Sequence, residues 1–268
     1  ISIRESKLPS MTEIIVGLPG DSFDSNIKTI KDMMRVDVDE YLVYTLMLLN
    51  GSELNIPQER KKWGFKTKFR ILPRSFAKLQ SGKKVMEIEE VVIASDTLSF
   101  EDYVNIRLLA FSIFITNQPA YKPIIQFLRQ NHVDIFDLFN RPLNSKDLPE
   151  SIEKLFNQFK KATIDELWDS PKEIIENFQN ESEYKKLLTD QLGFNVIQFH
   201  QALVTTNHMD DWTEYVIALA KTLLLENNIH DQSKLEEYVD IANYCRGLTY
   251  NVLELDANLD NPKFVFKY

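Results

Sequence analysis

The chain has 268 residues, 44% hydrophobic and 11% aromatic, which is enough apolar mass for one large core or two modest ones and excludes a disordered chain. Its 40 acidic against 31 basic side chains leave a net charge of -9, which argues against nucleic acid or an anionic membrane surface as a partner. A single cysteine, Cys245, excludes an intramolecular disulfide and points to a cytoplasmic setting, and no apolar run is long enough to span a membrane.

Ile1–Ser10, with Arg4, Glu5, Lys7 and Pro9, is too polar and broken for a buried strand and serves as a connection. The next stretch, Met11–Ser22, organises the rest of the chain. Glu13-Ile14-Ile15-Val16 has the β-branched density of a buried strand, and Gly17 and Gly20 bracket a turn that needs φ > 0 or a close approach. Asp21 and Ser22 then cap a helix whose apolar positions are Phe23, Ile27, Ile30 and Met34. Val38–Leu48 is apolar nearly throughout, which predicts a parallel strand covered on both faces, and Asn50-Gly51 ends it. The unit is βαβ. Asn55–Gly64 predicts a short helix, Lys66–Arg74 an extended segment, and Val85–Ser95 a second alternating strand.

From Ser99 the pattern is helical. Ser99-x-x-Asp102 caps a helix that is apolar at ten of the thirteen positions from Tyr103 to Ile115. Pro119 ends it, Pro123 opens another, Asp134 caps Ile135–Phe139, and Pro149 opens a helix carrying Ile152, Leu155, Phe156 and Phe159. Ser170-Pro171-Lys172-Glu173 is a strong helix start. Further helices are expected at Glu183–Gln191, Asn195–Val204, Asp211–Glu226 and Ser233–Arg246, with Gly193 and Gly247 as stops. Phe264, Phe266 and Tyr268 alternate with Lys263, Val265 and Lys267 as a half-buried strand would. Residues 1–98 and 99–268 are the expected domains.

The order Glu-Ile-Ile-Val-Gly-Leu-Pro-Gly-Asp, a helix, then Tyr-Leu-Val-Tyr-Thr-Leu-Met-Leu-Leu-Asn-Gly-Ser-Glu-Leu resembles the fifth and sixth strands of the radical S-adenosylmethionine (SAM) enzymes. The wording is most similar to the branch with an N-terminal cobalamin-binding domain, and the likeness covers roughly residues 1–115. It implies an α/β fold class: the C-terminal strands of a partial (β/α) barrel followed by an all-helical domain. It also implies a [4Fe-4S] cluster that cleaves SAM reductively, methyl transfer or a radical rearrangement as the chemistry, cobalamin as a further cofactor, and a small-molecule substrate. The family's Gly-x-Ile-x-Gly-x-x-Glu pattern falls on Glu13, Ile15, Gly17 and Gly20, matching at the middle two. The implied cofactor-binding residues are Ile15, Gly17, Leu18, Pro19 and Gly20 on the first strand and its loop, and Tyr44 and Leu46 on the second.

Cluster ligation in the family uses Cys-x3-Cys-x2-Cys, and one cysteine cannot replace three. With its first motif already that of the fifth strand and Ile1 in place of methionine, the chain is expected to be the C-terminal part of an enzyme, inactive without its N-terminal half. The rival reading is a non-catalytic helical scaffold or interaction module attached to a degenerate barrel remnant.

Other chemistry is poorly supported. The Gly-Leu-Pro-Gly turn lacks the Gly-Lys-Ser/Thr or Gly-x-Gly-x-x-Gly context of a phosphate loop. His132, His200, His208 and His230 lack metal-site spacing. Glu87, Glu89 and Glu90 are expected to form one solvated strand face, and Cys245 a small core residue. Tyr44 serves equally well as core filler or as an adenine contact.

Overall fold

The computed structural model describes residues 8–36 and 38–249. The polar start of the chain up to Lys7 and the alternating Phe264–Tyr268 segment lie outside the described residues. The elements are β1 (Met11–Val16), α1 (Phe23–Arg35), β2 (Glu40–Thr45), α2 (Pro57–Lys62), β3 (Lys66–Lys78) and β4 (Lys84–Ala94), followed by α3 (Phe100–Thr116), α4 (Lys122–Gln130) and α5 (Phe136–Asn140). Then come α6 (Glu150–Asp165), α7 (Pro171–Gln179), α8 (Glu181–Leu188), α9 (Val196–Asn207), α10 (Met209–Glu226) and α11 (Gln232–Leu248). The chain is α/β, and among the described residues only helices follow β4. Packing groups it into two compact units, residues 1–108 with 158–199 and residues 109–157 with 200–268, a division that falls within α3, α6 and α9.

In the first unit β1 and β2 pair in parallel, with Met11 opposite Glu40 and Val16 opposite Thr45. The helix between them starts as the sequence dictates. Ser22 Oγ accepts the Ser25 N–H at 3.2 Å while Ser25 Oγ accepts the Ser22 N–H at 2.9 Å, a reciprocal cap that satisfies two donors of the first turn. Ile30 and Met34 are buried as predicted, together with Asn26, whose amide donates to Ser22 O at 2.8 Å.

Two expectations about this unit are corrected. The second strand is shorter than Val38–Leu48 and is not covered on both faces: Tyr41 and Thr45 are buried, whereas Tyr44 is exposed. After Thr45 the backbone turns to another partner, the Leu48 N–H donating to Glu90 O and the Val92 N–H to Leu46 O, so Leu46 and Leu48 bury against Val92 of β4. Their apolar character serves that contact rather than a second cover on β2. Among the described residues the strands form two two-stranded sheets and no closed barrel.

The second sheet is the antiparallel hairpin β3–β4. Its register shifts between Ile71 and Phe76, where Pro73 has no N–H to give a ladder and Arg74 adopts φ 60°. The same irregularity hides the strand's alternation from the sequence. Phe69 exchanges backbone hydrogen bonds with Trp168, and Ile71 packs with Ile174 and Phe178 of α7 and Tyr184 and Leu187 of α8. Helix α7 begins at Ser170-Pro171 as expected, with Ser170 Oγ accepting the Glu173 N–H at 3.2 Å.

The second unit is helical among its described residues. Its interior holds Phe111, Phe139, Tyr121, Trp212 and Tyr238, each at most 1% exposed apart from Tyr238 at 2%. Tyr121 and Thr213 share a hydrogen bond of 2.9 Å, and Tyr238 donates to Ile217 O at 2.5 Å, so the tyrosine bodies fill core while their hydroxyls find partners. Helix ends differ from expectation by one to three residues, α9 running on to Asn207, α10 starting at Met209 and α11 shifting at both ends. Asp231, not Ser233, caps α11 by accepting the Lys234 N–H at 3.0 Å, and the helix runs through Gly247 to Leu248.

Candidate functional site

The carboxyl ends of β1 and β2 are where a ligand is expected, because parallel α/β units bind ligands beyond those ends. Gly17 leaves β1 with φ 89° and Gly20 follows with φ 82°, conformations that suit glycine. Between them Leu18-Pro19-Gly20-Asp21 is a β-turn closed by the Asp21 N–H on Leu18 O at 3.0 Å, with proline and glycine at its two central positions, the pattern of a type II turn. The Asp21 carboxylate folds back to accept the Leu18 N–H at 3.1 Å. Burial pushes the Asp21 carboxyl above its ordinary pKa, and the donors Leu18, Ser25 and Gly17 only partly offset that. Thr97 Oγ1 donates to Asp21 O from the loop after β4, tying the turn down.

The structure divides the seven residues singled out from the sequence. Ile15 and Tyr44 are register partners on β1 and β2, and they stand together on the sheet face opposite Ile14 and Val16, 44% and 48% exposed. Leu18 is also exposed, with Pro19 half-buried and Gly20 exposed beside it. Gly17 and Leu46 lie inward instead. Leu46 is in the core with Leu48 and Val92, and a Cβ placed on Gly17 would meet Val92, Leu46 and Leu98 at 3.8–3.9 Å. A side chain at Gly17 would therefore enter the core rather than stand against a ligand on the open face.

The covered face of the strand ends holds chemistry that sequence reasoning missed. Helix α3 places Tyr103 and Arg107 one turn apart, and both line a cavity of about 10 Å³ beside Tyr44, Thr45 and the apolar Val16, Val43 and Ile106. Arg107 belongs to a group of four charges. Arg70 bonds Glu89 directly across the hairpin and Glu166 at 3.0 Å, while Arg107 reaches Glu166 only at 3.9 Å. Burial opposes the charge on Arg70, but Glu166 and Glu89 outweigh it and raise the guanidinium's pKa. Burial likewise raises the pKa of Tyr103, against the pull of Arg107 and the neighbouring Thr45 hydroxyl. The available signal was Arg107 itself, the one charged residue in the apolar run from Tyr103 to Ile115.

The acids of β4 are a correction. Glu89 and Glu90 are not a solvated face: their side chains are 12% and 15% exposed and paired with Arg70 and Arg60, because β3 and α2 set those arginines opposite them. Glu87 is exposed. Cys245 is wholly buried, with burial pushing its thiol up to about 11. Among the described residues no group of three or more His, Cys, Asp or Glu side chains gathers as a metal donor set, and no helix is long and apolar enough to cross a membrane. No family model matches the chain, and a search of curated proteins finds no match.

Proposed function

We propose that this chain is the C-terminal part of a radical SAM enzyme of the cobalamin-binding branch, with the open face of β1 and β2 turned toward SAM. The observation that carries the reading is the parallel βαβ unit ending in Gly17-Leu18-Pro19-Gly20, with Ile15 and Tyr44 paired and uncovered on one face. An apolar side chain beside a half-exposed ring suits the flat, weakly polar face of an adenine, and the fixed turn at Leu18-Pro19 bounds it. When bound, SAM supplies the 5′-deoxyadenosyl radical on reductive cleavage. In this reading Ile15 and Tyr44 bind and orient the adenosyl group, while Gly17 and Leu46 act from the core by holding the strand ends in place.

The cluster does not fit this chain. Its one cysteine is buried and protonated, so the thiolates of a [4Fe-4S] centre belong to the N-terminal half, as does any cobalamin site. Methyl transfer or a radical rearrangement of a small molecule is the reaction class proposed for the whole enzyme.

The test is SAM affinity in the full-length protein carrying Tyr44→Ala. Loss of one aromatic contact of about 1.4 kcal/mol corresponds to about a tenfold weaker Kd, with the cluster absorbance unchanged. Unchanged affinity in a folded, cluster-loaded variant would remove the assignment. A full-length protein with neither cluster nor SAM binding would return the chain to the scaffold reading.

A further inference from the structure

We propose that a single ordered water occupies the cavity between α3 and the carboxyl ends of β1 and β2, held by Arg107, Tyr103 and Thr45. Two buried polar atoms there lack a well-formed hydrogen bond to protein: the Arg107 Nε, and the Tyr103 hydroxyl, which has the Thr45 hydroxyl beside it. Tyr103 is 1% exposed and the Arg107 side chain 12%, so bulk solvent does not serve them. Buried donors left in that state are rare in folded proteins, and where they line a cavity an internal water is the ordinary remedy.

Size and charge choose the occupant. About 10 Å³ admits one water-sized centre and leaves no room for a carboxylate or phosphate group. The charges of Arg70 and Arg107 are already balanced by Glu89 and Glu166, so an anion would bring an uncompensated charge into a buried place. The group that fits is neutral and accepts from Nε–H while exchanging hydrogen bonds with hydroxyls. Water meets all three conditions, and Val16, Val43, Tyr44 and Ile106 line the rest of the cavity. This water joins α3 to Thr45, the residue after Tyr44, and so anchors the strand end from the face opposite the exposed ring.

The test is NMR on the whole chain, reading the Arg107 Nε–H. A cross-relaxation peak to water with the sign of a long-lived molecule is expected, with no saturable shift as sodium formate is added. Oxygen-17 relaxation dispersion, which hydroxyl protons cannot mimic, should count one fewer long-lived water in Arg107→Met. Tyr103→Phe takes its place if that variant fails to fold. An absent cross-peak, or an unchanged water count in the folded variant, overturns the proposal. A saturable response to formate also overturns it, in favour of an anion site.

Discussion

Gly17→Ala separates the structural work of the turn from any contact with a ligand. At φ 89° the backbone is where an L side chain costs roughly 1–2 kcal/mol. Space adds little, because the new Cβ would lie 3.8–3.9 Å from Val92, Leu46 and Leu98, an ordinary van der Waals distance. For a chain of this size roughly 1–2 kcal/mol lowers Tm by about 2–8 °C. Urea unfolding followed by tryptophan fluorescence measures the loss directly. Gly51→Ala is the matched control, since Gly51 has φ 83° and nothing within 4 Å, and it should cost about the same. Gly64→Ala should cost more, because its Cβ would sit 2.0 Å from Asp96 Oδ1 and the carboxylate must swing away in addition to the backbone strain at φ 61°. A Gly17→Ala variant within about 0.5 kcal/mol of wild type would refute the backbone argument. A larger substituent such as valine is a poor probe of SAM approach here, since its stability cost would be felt in every assay.

Three further outcomes rest on the same geometry. Tyr41→Ala, at a 4% exposed position, should cost about 3–5 kcal/mol, whereas Tyr44→Ala, 48% exposed, should cost about 2 kcal/mol or less; equal losses in urea would make Tyr44 ordinary core. Arg70→Met leaves Glu89 and Glu166 buried without their main partner and should cost roughly 3–5 kcal/mol, falling sharply when both acids are also changed to glutamine; a double-mutant cycle without that coupling would disprove the network. Burial works against Glu90, but hydrogen bonds from Arg60 and Thr67 prevail and hold its carboxyl below the ordinary 4.5. Because the folded state lowers that pKa, its stabilisation is present above the unfolded value and is lost as pH falls through the folded one. Urea midpoints should therefore drop below pH 4.5 more steeply in wild type than in Glu90→Gln, and parallel curves would contradict the pairing.

The parallel βαβ unit was legible because its signals are local. The β-branched run, the two glycines and the Ser22 cap each act over a few residues, and the structure has the strand, the turn and the cap where expected, although Ile15 of that run is exposed rather than buried. What the sequence could not convey depends on partners distant in the chain. Ile15 and Ile14 look alike in composition, and only the residues packed on one face of the strand, such as Leu98 and Ile106 against Val16, decide which of the two is buried. Leu46 and Leu48 looked like the covered end of a strand, but their cover is Val92, over forty residues away. Glu89 and Glu90 were hidden for a related reason, since Arg70 and Arg60 come opposite them through the hairpin and α2, and the irregularity at Pro73 disguises the hairpin's alternation. Arg107 carried a readable anomaly, one charge in an apolar helix, but its neighbours Glu166 and Thr45 come from elements far from it in sequence.

In the proposed function these residues complete a radical SAM enzyme whose cluster is ligated elsewhere. Anaerobic reconstitution with iron and sulfide, followed by absorbance and electron paramagnetic resonance, tests it on two samples: the full-length protein and residues 1–268 alone. A [4Fe-4S] spectrum that responds to SAM is expected in the full-length protein, and none in the isolated chain. A stoichiometric cluster on these 268 residues, or a full-length protein that assembles none, would contradict it.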